Sequence, residues 1–364
     1  MSDWPDRRIL DLFGIALPII QAPMAGNTTP ALVIAVSEAG GLGSLACAQY
    51  DLPQARAALT AVQQGTSKPI NVNFFCHETP TPDPARSLRW RSELAPYYAE
   101  FGLDPEAPLP KTGRTPFDAD FCALVEEFRP AVVSFHFGLP APDLIARVKA
   151  SGAKIIASAT TVAEAVWLEQ HGCDAVIAMG FEAGGHRGNF LAHDMARQAG
   201  TFALVPQIAD AVRVPVIAAG GIADARGIVA ALALGASAVQ IGTAYLFTPE
   251  AKVPEVHRAA LQTAGDESTI LTNVFTGRPA RGILNRLIRE LGPISPLAPA
   301  FPLAGSAIAP LRAKTEPDGS GDFMNLWSGQ AAKLATPMPA GALTQHLASS
   351  ALALIARLRP EIRF

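Results

Sequence analysis

The sequence predicts an α/β fold: a (β/α)8, or TIM, barrel with a smaller, mainly carboxyl-terminal helix and loop domain over the barrel mouth. Three observations predict it. Eight short apolar runs each end in glycine or a polar residue, helical patterns separate most of them, and the repeat stops beyond Leu261. Strand, helix, strand, repeated, means a parallel sheet, and eight units exceed the six of a typical dinucleotide-binding sheet. An open doubly wound sheet stays compatible with the rhythm, which does not report closure.

The runs are PIIQAPMAG from Pro18, GGLGSLAC from Gly40, INVNFFCH from Ile70, AVVSFHFG from Ala131, KIIASAT from Lys154, DAVIAMG from Asp174, VPVIAAGG from Val214 and SAVQIGTAYLF from Ser237. Between the first two, TPALVIAVSEAGG places Thr29 as a helix N-cap with Pro30 in the first turn; near the end of the repeat, ADARGIVAALALGA closes at Gly235. Two spacings are longer, one after NFFCH and one after EAGGHRG. The first, rich in proline and polar residues from about 78 to 116, reads as an insertion in the third strand-to-helix loop. Residues 1–262 are then the barrel and 263–335 a lid or substrate domain, in which LGPISPLAPAFPLAG is too proline-punctuated for barrel strand or long helix. Residues 336–364 form an amphipathic helical segment that packs on the body.

Composition narrows the function. Of 364 residues 49% are apolar and 17% charged, which suits a globule with buried parallel strands. A net charge of −3 with scattered arginines gives no footprint for nucleic acid, so small molecules are the expected partners. Cys47, Cys76, Cys122 and Cys173 lie far apart with no CxxC pair, which fits a reducing compartment and neither a zinc knuckle nor a disulfide framework. The amino terminus lacks the apolar segment of a secretory signal, and no run approaches twenty apolar residues. The expectation is a cytoplasmic protein without a membrane partner.

In barrels, ligands sit at the carboxyl ends of the strands, and phosphate commonly docks between the loops after the last two. There AAGGI places Gly220 and Gly221, and QIGTAYLF places Gly242 and Thr243. Their N–H groups, with the positive end of a helix opening at Ala223, can surround a dianionic phosphate. Tight turns alone also account for either glycine pair. No GxGxxG fingerprint is present, which argues against a Rossmann nicotinamide site. A second glycine cluster surrounds one imidazole in GFEAGGHRGNF, Gly180 to Phe190, where glycine permits close backbone approach.

These motifs carry a resemblance. QAPMAGNTTPALVIAVSEAGGLG, NVNFFCHETP, VSFHFG and GFEAGGHRGNF, in this order and followed by VIAAGGI, AVQIGTAYLF and LWSGQ, resemble the signatures of class I nitronate monooxygenases, formerly called 2-nitropropane dioxygenases. The resemblance implies an FMN-containing barrel that oxidises alkyl nitronates with dioxygen to carbonyl compounds and nitrite, through one-electron transfer and an anionic flavin semiquinone. Propionate 3-nitronate is the typical substrate, and detoxification of nitro compounds the typical role. It places Ala22, Pro23 and Met24 against the isoalloxazine and Asn73 on the flavin by hydrogen bonding; Asn71 either faces solvent or caps its strand. His186 matches the active-site histidine, which deprotonates neutral nitroalkanes where that activity exists and otherwise polarises or positions the nitronate. Ala183, Gly184 and Gly185 let its loop pass the ribityl and phosphate. His136 is the second histidine expected near the nitro oxygens, a position that a core histidine between Phe135 and Phe137 also explains. Ser158 either approaches the flavin or caps the following helix, and Glu182 either orients the loop or is a surface carboxylate. Trp327 and Phe301 are expected as aromatic walls of the substrate pocket. Lys314 could attract a substrate carboxylate but is left unassigned. No metal is expected: His77, His136 and His186 lack paired-ligand spacing.

Two other functions stay open at this level: an FMN-dependent NAD(P)H reductase of quinones or enoyl thioesters, and a flavin-free barrel that binds a phosphorylated metabolite. Monomer and homodimer are both compatible with the sequence.

Overall fold

The computed structural model describes residues 4–110 and 114–358; the last six residues of the expected carboxyl-terminal segment, 359–364, lie outside the described residues. In chain order the strands are β1 Ile19–Gln21, β2 Gly43–Ala46, β3 Ile70–Phe75, β4 Val132–His136, β5 Lys154–Ala159, β6 Ala175–Met179, β7 Gly185–His186, β8 Val216–Ala219, β9 Ala238–Ile241, β10 Thr269–Thr272 and β11 Ala280–Ile283. Eight of them form one parallel sheet in the order β1-β9-β8-β6-β5-β4-β3-β2. A parallel bridge between Ile20 and Leu42, with Leu42 N–H donating to Ile19 O at 2.9 Å and Gln21 N–H to Leu42 O at 3.0 Å, joins the two ends. The sheet is thus a barrel and not an open doubly wound sheet.

Small and β-branched residues make these strands. β6 (AVIAM) and β8 (VIAA) are buried along their whole length, as parallel strands covered on both faces must be. Several of the helices between them begin on side-chain caps. Thr29 accepts from Leu32 N–H ahead of Pro30, Asp51 and Gln54 form a reciprocal capping box, and Asp224 accepts from the N–H groups of Arg226 and Gly227. The helix after β8 therefore starts at Ala225, just beyond the expected Ala223, because the Asp224 carboxylate ends the turn.

A second apolar cluster lies apart from the barrel core. The segment after β3 contains a helix, Pro84–Glu100, whose Trp90, Leu94, Tyr97 and Tyr98 pack with Val274, Leu287, Ile308, Leu311 and Phe323. Trp90 Nε1 donates to Ala304 O at 3.2 Å, Tyr98 Oη donates to Ala307 O at 2.7 Å, and Arg286 grips both oxygens of Glu100 at 2.7 Å. Two stretches nearly two hundred residues apart thus share one small core. This unit also holds a three-stranded antiparallel sheet, β10-β11-β7, whose strands of two to four residues are too short to show periodicity in sequence. The proline-rich stretch from 292 to 304 contains no regular element. The final described helix, Ala340–Leu358, packs on the helices Pro30–Glu38 and Ala225–Ala233, tied by a 2.8 Å hydrogen bond between Tyr245 Oη and Thr344 Oγ1. No helix among the described residues is long and apolar enough to cross a membrane.

Candidate active site

The carboxyl ends of the barrel strands and the second unit enclose a cavity of about 1110 Å³. A pocket for one drug-sized ligand holds roughly 300–1,000 Å³, so this one has room for a flavin and a small substrate together. Ala22, Pro23, Met24, Asn73, His136, Ser158, Ala183, Gly184, Gly185, His186, Gly220, Gly221, Gly242, Thr243 and Trp327 all line it. Phe301 stands just behind the wall, its ring 5.2 Å from that of His186.

One end is made of main chain. Gly220 and Gly221 have φ of 113° and 70°, and a Cβ on Gly220 would lie 2.9 Å from Thr201 Oγ1 and 3.1 Å from Ala183 N. Among the described residues, the N–H groups of Gly220, Gly221 and Gly242 donate to no protein acceptor. Unpaired amides that converge on a cavity suit an anion such as phosphate. Glu182 is not a surface carboxylate: it accepts from Thr201 N–H at 2.8 Å and Thr201 Oγ1 at 2.8 Å, and so fastens the His186 loop to the start of the helix Thr201–Ala211. Thr243 Oγ1 accepts from Gly329 N–H at 2.9 Å, which brings the LWSGQ segment to this end.

The middle of the cavity carries amides. Asn73 Nδ2 donates to Ser134 Oγ at 2.9 Å, and Asn71 Nδ2 donates to the same oxygen at 2.9 Å. Asn71 is wholly buried, so it neither faces solvent nor caps its strand; it braces Asn73 through Ser134. Gln240 Oε1, on β9, is buried with no donor, in the wall of the cavity. An unpaired buried acceptor calls for a ligand N–H. The unpaired glycine amides, the Asn73 amide and the Gln240 carbonyl together fit a phosphorylated flavin, whose phosphate accepts and whose ring edge both donates and accepts.

The other end is built around His186. β7 pairs with β11, Ala280 opposite His186, and Arg187 N–H donates to Pro279 O at 2.9 Å. Arg187 is wholly buried and donates to Met179 O at 2.8 Å, to Gly180 O at 2.5 Å and to Gln198 Oε1 at 2.7 Å, which ties the loop back to β6. His136 makes two hydrogen bonds: Nε2 with His186 O at 3.1 Å and Nδ1 with Ser158 Oγ at 3.0 Å. A carbonyl only accepts, so Nε2 carries the proton, and Nδ1 accepts from Ser158. Ser158 is thus not the cap of the following helix; Thr161 is, accepting from Glu164 N–H. Gly188 permits this packing, since a Cβ there would lie 2.9 Å from both His136 Cε1 and Ser158 Cβ.

His186 Nε2 lies 3.0 Å from Thr276 Oγ1, and that hydroxyl donates to Arg278 O at 3.3 Å. The hydroxyl proton being engaged there, His186 Nε2–H donates to it. Nδ1 then keeps its lone pair and has no protein partner, on a ring that lines the cavity. Burial, followed by the charges of Arg114, His136, Arg278 and His77, holds the His186 pKa well below 6.5; burial likewise lowers His136 to about 3. Both rings are neutral at physiological pH. The surroundings are cationic and aromatic: Arg278 Cζ sits 3.9 Å from the Phe137 ring centroid, and Phe75, Phe301 and Trp327 stand edge-on to His186 at 6.2, 5.2 and 5.4 Å. Such a site attracts an anion and repels a metal ion. Among the described residues no group of three His, Cys, Asp or Glu can hold a metal.

Sequence reasoning passed over Arg114, Ser134, Arg187, Gln240, Thr276 and Gly329, and gave His257 a surface or packing role. Arg187 offered a signal, a cation inside a glycine-rich strand end. His257, in the barrel's last helix, reaches Trp327 O with Nε2 at 3.0 Å and had no motif, and Arg114 and Thr276 come from irregular chain that periodicity does not place. Lys314 is exposed and not among the cavity residues.

Comparison with known proteins agrees with this geometry. The family model described as nitronate monooxygenase matches residues 6–350. A nitronate monooxygenase of Paraburkholderia phytofirmans is 44% identical over 364 residues, covering 99% of each chain, and one of Pseudomonas aeruginosa is 44% identical over 343 residues, covering 93% of this chain and 97% of the relative. Among solved structures, nitroalkane oxidase from Streptomyces ansochromogenes superposes with a TM-score of 0.87 at 38% identity, over 97% of this chain and 100% of that one. FabK from Thermotoga maritima follows at 0.72 and 30%, over 97% and 98%. The chain belongs to the nitronate monooxygenase family, a family of flavin-dependent oxidoreductases.

Proposed function

We propose that the protein binds FMN along the cavity, phosphate at the glycine end, and oxidises alkyl nitronates with dioxygen to carbonyl compound and nitrite, propionate 3-nitronate being the expected substrate. The observation that carries this reading is a single cavity that joins His186 and Arg114 to the unpaired glycine amides of Gly220, Gly221 and Gly242. Bound flavin would supply the electron acceptance and the reaction with oxygen. The protein's own residues do the rest. The charge of Arg278, felt at His186, favours the nitronate anion there, Phe75, Phe301 and Trp327 exclude water beside the reacting carbon, and His136 fixes the His186 main chain. With His186 Nε2–H tied to Thr276, Nδ1 is the atom that accepts or holds a proton. Its depressed basicity disfavours proton abstraction from a neutral nitroalkane and favours a preformed nitronate.

The test takes purified yellow protein, releases and identifies its flavin, and follows oxygen uptake and nitrite on addition of propionate 3-nitronate, beside anaerobic bleaching by NADH. Nitrite-forming oxygen uptake with FMN released and no rapid NADH bleaching supports the reading. Bleaching by NADH without response to nitronates would move the function to a quinone or enoyl-thioester reductase. A colourless protein with no releasable flavin would move it to a phosphometabolite-binding barrel.

A further inference from the structure

Arg114 lies in the segment that leads from the second unit back to the barrel, and it lines the cavity. Its Cζ is 5.2 Å from the centroid of the Phe301 ring, the same ring that stands 5.2 Å from His186. His77 stands against the same ring, 4.9 Å from Phe301. The guanidinium itself has no acceptor: Nη1 is buried and unpartnered, and among the described residues no carboxylate pairs with it. Its buried neighbours differ. Arg187 donates to two carbonyls and Gln198, Arg281 to Phe181 O and Thr269, and Arg278 to Asn189 O. Burial lowers the Arg114 pKa to about 10, which leaves it charged at neutral pH. A half-buried cation with a buried, unpartnered Nη1 and no counter-charge is costly, and in a cavity wall the counter-charge can be supplied by a ligand.

We infer that Arg114 is the seat of a second anionic group on the substrate, so that the preferred nitronates carry a carboxylate remote from the nitro-bearing carbon. The planar fork of a guanidinium matches a carboxylate in two parallel hydrogen bonds, and an amphipathic edge over Phe301 keeps the fork aimed along the wall. The inference rests on the nitronate reading of the same cavity and adds the residue that sets its selectivity.

The experiment compares propionate 3-nitronate with propyl-1-nitronate in wild-type holoenzyme, Arg114→Met and Arg114→Lys, and titrates each protein with succinate, read by perturbation of the flavin absorbance. The ratio of kcat/KM for the carboxylated over the plain nitronate should fall about 30-fold or more in Arg114→Met, mainly through KM, and recover in part in Arg114→Lys. Succinate should bind the wild type at least tenfold more tightly than Arg114→Met. An unchanged ratio, or equal loss on both nitronates, overturns the inference, and so does succinate binding that ignores the substitution. If the wild type oxidises neither nitronate, the functional reading fails, while the succinate titration still tests Arg114. A folding defect in Arg114→Met would show as lost flavin, and Arg114→Lys then decides by the same ratio.

Discussion

The two ends of the cavity are built on different plans. The glycine end uses main-chain N–H groups from loops that directly follow β8 and β9, so its shape depends on a few φ values and on little else. The His186 end is assembled from side chains of six separate stretches: Phe75, Arg114, His136, His186, Thr276 and Phe301, with Trp327 closing it. A cofactor common to many enzymes can be held by local backbone geometry, whereas a substrate must be recognised by a surface that can vary. Under the proposed function the second unit takes part in substrate recognition, since β11 pairs with β7 and Thr276 hydrogen-bonds the imidazole.

Breaking the second unit should therefore separate the two ends. Trp90 is 1% exposed, and Trp90→Ala should cost about 3–5 kcal/mol in that small core. Thermal melting of the holoenzyme should show the loss, and kcat/KM for nitronate should fall well before flavin is lost; loss of flavin at unchanged turnover per bound flavin would contradict the separation. The converse break is Gly220→Ala. At φ 113°, with Thr201 Oγ1 2.9 Å from the new Cβ, the loop must shift, and backbone strain of about 1–3 kcal/mol should weaken FMN by roughly 5- to 150-fold. Flavin fluorescence titration measures it, and turnover of the fully loaded variant should stay near wild type.

Acid sharpens the comparison because His77, His136 and His186 sit together at one end. His77 and His257 are lowered to about 4 and His136 to about 3, each first by burial, and His186 lies well below 6.5. Below pH 6.5 the unfolded chain thus binds more protons than the folded one, and stability falls as pH falls from about 6.5 toward about 4. Each histidine that stays neutral contributes up to about 1.4 kcal/mol per pH unit. Urea midpoints at pH 7.5 and 5.5 check this; equal midpoints would mean these rings are not held neutral. The smallest effect is expected of Thr276→Val, which frees the His186 ring from one hydrogen bond worth about 1 kcal/mol. Nitronate kcat/KM should drop about fivefold with flavin affinity unaltered, and a change in flavin affinity would blur the boundary between the ends.

The same division governs what could be read from the sequence. The barrel was legible because its strands are short buried runs and several of its helices start on a local cap such as Thr29. Gly220, Gly221 and Gly242, which line the cavity, were legible because strand order puts them where barrels commonly dock phosphate. His186 stood out through its glycines, yet the reason for Gly188, close packing on His136 and Ser158, needed coordinates. Arg114 and Thr276 were invisible, since nothing local marks an irregular segment whose side chain meets a partner from another unit. The helix Pro84–Glu100 hid inside a proline-rich stretch because its apolar face, Trp90 and Leu94, answers to residues beyond 270.

The most direct test of a flavin end and a substrate end joined at His186 is His186→Asn, with flavin affinity and nitronate turnover measured on the same preparation. Asparagine keeps a polar side chain of similar length and removes the imidazole. The account predicts FMN bound as in the wild type and kcat/KM for propionate 3-nitronate lowered by about 100-fold or more. Turnover within a fewfold of wild type, or loss of FMN in step with activity, would contradict it.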